Sequence, residues 1–122
     1  MVVVADANIS TNDQTDLSDA FVAQGCRYAV CAGHDCSSWD DSIDWAFIST
    51  DPNYDPPDDR FVMTTWHDHE PLSDAAWFFL WNTDFDDFVP TRFVALVIGG
   101  DATSKRDVET VLRVAAADGV GA

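Results

Sequence analysis

The chain has 122 residues, 47% of them hydrophobic, which suits one domain with a packed core and excludes a disordered acidic tail. Its 22 acidic residues face only 6 Lys and Arg, for a net charge of −16. That field repels nucleic-acid phosphates and anionic membranes, so no nucleic-acid or membrane binding is expected, while basic proteins and metal cations are attracted. Solubility, a codon bias towards Asp or adaptation to salt would produce the same charge.

No apolar stretch approaches the roughly 20 residues of a membrane span. The start, Met1-Val2-Val3-Val4-Ala5-Asp6, lacks the basic beginning of a secretory signal, so a cytoplasmic location is expected. Three cysteines, Cys26, Cys31 and Cys36, are an odd number and read as reduced thiols.

Residues 1–14 read as an edge strand or a loose tail, with Val2–Val4 available as a fourth strand. From Asp16, Leu17, Ala20 and Phe21 suggest a short helix that Gly25 stops. Cys26 to Ala32 is almost continuously apolar, as in a strand covered on both faces. Ser37 or Ser38 then caps a helix whose Trp39, Ile43, Ala46 and Phe47 form a core stripe.

Prolines at 52, 56 and 57 make residues 50–59 a surface loop. Arg60 to Trp66 is the second clear strand, and Pro71, Ser73 and Asp74 open a helix running to about Trp81. Its Trp77-Phe78-Phe79-Leu80-Trp81 is apolar all round, so it is either buried or bares an aromatic patch. A second acidic loop spans 82–91. Arg92 to Ile98 is the third strand, Gly99-Gly100 a turn, and Ser104-Lys105-Arg106-Asp107 opens a final helix burying Val108, Val111, Leu112 and Ala115.

Strands alternating with helices predict a single α/β domain over residues 1–122, with a small, mostly parallel sheet of three to four strands flanked by helices in three layers. All three histidines then follow strand ends, at the carboxyl edge where open α/β folds keep their sites. One candidate is a metal site drawn from His34, Asp35, Cys36, His67, His69, Glu70 and Asp101; His67 and His69 are two apart and point the same way in an extended chain. Another is a thiol nucleophile at Cys36, on a helix amino terminus, with His34, His67 or His69 as base. No recognised ligand spacing and no oxyanion-hole motif accompanies either, and polar loop residues would look the same. Gly99-Gly100-Asp101 lacks both the full dinucleotide fingerprint and the phosphate-loop lysine, so it reads as a tight turn.

The third candidate is an interaction surface. Five Trp adjoin acidic residues, and aromatic anchors rimmed by carboxylates suit a basic protein. Trp39 and Trp66 read as core. Trp45, Tyr54, Trp77 and Trp81 read as surface, with Asp55, Asp58, Asp59, Asp84, Asp86 and Asp87 beside them.

The stretch Cys31-Ala-Gly-His-Asp-Cys36-Ser-Ser-Trp39-Asp-Asp-Ser42-Ile-Asp44-Trp45, followed by Asp58-Asp-Arg-Phe-Val-Met-Thr-Thr-Trp66-His67, resembles a family of small acidic bacterial proteins of unknown function, over residues 26–100. The resemblance implies a bacterial, cytoplasmic, single-domain protein and carries no catalytic residue with it. The expectation is therefore a non-catalytic acidic protein of the immunity or inhibitor type, without cofactor, that neutralises a basic protein partner. The alternative is a small metal-dependent or thiol enzyme at the carboxyl edge.

Overall fold

Val2-Val3-Val4-Ala5 is apolar at every position, and all four residues are buried, as a strand covered on both faces requires. In the computed structural model, which describes residues 1–121, this run is β1 (Val2–Ala5). The other elements are α1 (Thr11–Ala23), β2 (Tyr28–Gly33), α2 (Cys36–Ile48), β3 (Met63–Trp66), α3 (Leu72–Trp81), β4 (Ala95–Ile98) and α4 (Ala102–Gly121). The four strands are parallel, in the order β3-β2-β1-β4, with Val2 opposite both Val30 and Ala95. The α/β fold is as expected. The amino-terminal strand, however, is neither an edge nor a tail: it is central.

Alternation along the strands sends Val3, Ala5, Ala29 and Cys31 to one face, where they pack with Leu17 and Phe21 of α1 and with Trp39, Ile43 and Phe47 of α2. Val2, Val4, Tyr28 and Val30 point to the other face and meet Phe79 of α3 and Val108 and Leu112 of α4. Burying a side chain such as Ile43 or Phe79 stabilises the fold by about 1.5–3 kcal/mol. The chain thus lays β1, β2 and β3 side by side under α1 and α2. Then α3 crosses the opposite face and sets β4 on the far side of β1. The strand order reverses between β1 and β4, where open α/β sheets form their crevice.

Several boundaries differ from the sequence reading. Helix α1 begins five residues before Asp16, because the Ser10 hydroxyl accepts from the Asp13 amide at 3.1 Å and nucleates a wholly polar first turn. Neither Ser37 nor Ser38 caps α2; Asp35 stands in that place in a left-handed conformation (φ 53°) and makes no side-chain cap. Strands β3 and β4 are shorter than predicted, since Asp58–Arg60 forms a 3-10 turn and residues 91–94 are irregular.

Candidate functional site

At the carboxyl ends of β1 and β4, where a ligand would be sought first, the backbone is packed on itself. The Asp6 amide donates to the Ile98 carbonyl at 2.8 Å. Gly100 holds a positive φ of 75° that favours glycine, and a Cβ there would push aside the Asp6 carboxylate and the Ser104 side chain. The start of α4 is also occupied. Asp101 Oδ1 accepts from the amides of Thr103 and Ser104 at 3.0 and 3.1 Å, and these bonds hold its carboxyl below the usual range. What remains beside the turn is a cavity of about 100 Å3 between Asp6, Ser104 and Asp107.

The histidines do not gather. His67 lies almost covered, with 9% of its side chain exposed; Nδ1 meets Glu70 Oε2 at 2.7 Å, Nε2 meets Thr65 Oγ1 at 3.1 Å, and the ring rests 4.7 Å from that of Phe78. His69 stands in a left-handed turn (φ 61°) with 92% of its side chain in solvent, beside Asp68. The two rings do not point the same way, because the strand ends at Trp66 and the extended geometry ends with it. His34 is exposed and Cys36 is buried. Burial pushes the Cys36 thiol upwards, away from the thiolate a nucleophile needs. Among the described residues, no three His, Cys, Asp or Glu side chains are placed to hold a metal ion, so His34, His67, His69, Glu70 and Asp101 do not form a common ligand set.

A carboxyl pair that sequence reasoning missed lies beneath α2. Asp40 is 4% exposed, its Oδ2 has no hydrogen-bond partner, and its neighbour one turn on, Asp44, accepts from Thr64 at 2.7 Å. Burial, and then the Asp44 charge, raises the Asp40 carboxyl to about 6. The i, i+4 spacing was visible, but not that β3 would cover it.

The aromatic candidates separate into two kinds. Trp45 and Tyr54, 58% and 61% exposed, stack on each other with centroids 5.6 Å apart and planes 17° from parallel. Tyr54 is held in a left-handed conformation (φ 58°) by the loop around it: Asp51 Oδ2 accepts from the amides of Asn53 and Asp55, each at 3.1 Å, and the Asp51 carbonyl accepts from Tyr54. Asp55, Asp58 and Asp59 are exposed along the same loop. Trp77 and Trp81 are less than half exposed, and the Trp81 indole donates to the Ala115 carbonyl at 2.9 Å, which ties α3 to α4.

Trp39 is core, as expected. Trp66 is not: it ends the edge strand β3 and stands 56% exposed. Asp84, Asp86 and Asp87 are exposed around a tight Phe85–Phe88 bridge that turns both phenyl rings inward.

Charge is segregated along the chain. Residues 1–91 carry 18 acidic side chains and two arginines, whereas residues 92–122 carry four of each sign. Among the described residues, no helix is long and apolar enough to cross a membrane. Searches of curated proteins and of solved structures found no match. A family model described as "Domain of unknown function (DUF7684)" matches residues 1–115, and the chain belongs to that family.

Proposed function

We propose that this domain is a non-catalytic binding protein of the immunity or inhibitor type, which neutralises a basic protein partner in the bacterial cytoplasm. The observation that carries this reading is the exposed Trp45–Tyr54 stack set among carboxylates. Two large rings are left mostly in solvent, and the Asp51 loop holds Tyr54 in a disfavoured backbone conformation against Trp45. A fixed aromatic face rimmed by negative charge suits an Arg or Lys side chain, which gains cation–π and ionic attraction together. The wider field of residues 1–91 would speed encounter, and the aromatic pair would slow departure.

The test immobilises the whole chain beside a Trp45→Ala, Tyr54→Ala double variant and exposes both to lysate of the native host. The expected result is a basic protein held by the wild type, with an association rate that falls as salt rises and a faster dissociation from the double variant. Equal retention by both proteins, or a rate indifferent to salt, would overturn the proposal.

A further inference from the structure

At the opposite, amino edge of the sheet lies a cavity of about 440 Å3, within the roughly 300–1,000 Å3 typical of small-molecule sites. Its walls come from the end of α1, the approach to β2 and the segment leading into β4. Phe21, Phe88, Phe93 and Leu96 supply apolar surface, and Arg27 and Arg92 supply positive charge. Two of the chain's 6 Lys and Arg thus border a cavity that none of its 22 acidic residues lines.

Arg27 is fixed in place. Its Nε donates to the Phe61 carbonyl at 2.8 Å, and its guanidinium lies 5.6 and 5.1 Å from the ring centroids of Phe85 and Phe88. Arg92 is exposed. Among the described residues, the carboxylates that form ion pairs do so with histidines, and neither arginine is matched by one. In so acidic a molecule, two arginines without a carboxylate partner beside a cavity with aromatic walls offer uncompensated positive charge to an anion. The acidic remainder of the surface is screened beyond about 8 Å at physiological salt. The carboxylate that acts on the Tyr28 phenol, Asp84, is outside the lining.

We propose that this cavity binds a small amphipathic anion, an aromatic or medium-chain carboxylate, with its apolar body against Phe21, Phe88 and Leu96 and its carboxylate towards Arg27 and Arg92. The proposal stands apart from the basic-partner reading, since it uses none of the same residues.

The probe is octanoate, titrated into the labelled whole chain and followed by amide NMR and calorimetry, with octanol and octylammonium as matched controls. Octanoate is expected to shift the amides of residues 21–28 and 88–96 and to leave Trp45 and Tyr54 unmoved. Arg92→Gln should weaken it by about three- to tenfold, the effect of removing one partly solvated charge contact. Val94→Trp, on an exposed cavity-lining position, should fill the mouth and abolish binding whatever the charge. Octylammonium should not bind. Shifts elsewhere, no shift at millimolar octanoate, or octanol binding as tightly as octanoate would overturn the proposal.

Discussion

The two ends of the sheet are unlike. The carboxyl end, where α/β folds usually keep their chemistry, holds every histidine and a double glycine, yet His67 and Asp101 are bonded to their neighbours, His34 and His69 stand apart in solvent, and the cavity is about 100 Å3. The amino end has no acidic residue in its lining and forms an open cavity of about 440 Å3 beside two arginines. Polar clusters after strands are therefore poor evidence of a site until one asks what each group already bonds. Here His67 is bonded to Glu70 and Thr65, and Asp101 to its own helix.

The sharpest way to break that contrast is Gly33→Ala. Gly33 has φ 88°, and a Cβ there would overlap the Ala5 carbonyl oxygen, which already accepts from the His34 amide at 2.7 Å. If the carboxyl end is backbone packed on backbone, this one methyl group should cost about 3 kcal/mol, read from chemical denaturation. A loss below about 1 kcal/mol would mean that this end yields easily and has room to open.

The two nearby histidines refine the point. His67→Ala should cost about 1–2 kcal/mol, because it removes a nearly buried ring that bonds Thr65 and covers Phe78, whereas His69→Ala should stay within about 0.5 kcal/mol. Equal costs would mean that the His67 contacts are not structural.

Asp40 supplies a pH-dependent test. Its carboxyl titrates at about 6 in the folded chain and at about 3.9 in the unfolded one, so the folded state holds a proton that the unfolded state has released between those values. Stability from this group is greatest below pH 4 and is lost as pH rises through 6. Asp40→Asn should therefore leave stability nearly unchanged at pH 4 and raise it by about 1–3 kcal/mol at pH 7.5. The check is denaturation at both pH values; identical gains at the two would refute the buried-carboxyl account.

Much of the fold was written in plain patterns. The apolar run from Tyr28 and the stripe from Trp39 to Phe47 marked β2 and α2 because burial on a strand or a helix face leaves a period. The Val2–Ala5 run carried the mark of a central strand as well, an absence of alternation, but four residues beside a polar stretch also fit an edge. Pairing partners are non-local, and no local pattern names them. The same limit applies to Trp66, whose neighbours resemble core but whose strand is the last in the sheet. The amino-edge cavity was invisible for a further reason: Arg92 is far in sequence from Phe21 and Arg27, and the three form no motif.

A small effect on stability bears most directly on binding. Asp51→Ala removes the acceptor that fixes the Asn53 and Asp55 amides, both near the surface, so the fold should lose no more than about 1 kcal/mol. Tyr54 is another matter, because a tyrosine at φ 58° stays there only while its surroundings insist. Freed of the Asp51 carboxylate, it should return to ordinary backbone geometry and leave Trp45, and cross-peaks between the two rings in nuclear Overhauser spectra should fade while those between Phe21 and Trp39 persist. If the Trp45–Tyr54 cross-peaks survive, ring contact and the backbone bond from Tyr54 to the residue 51 carbonyl hold the stack without the Asp51 carboxylate. The carboxylates around it would then be left with steering alone, and Asp51→Ala would change how fast a basic partner arrives without changing how long it stays.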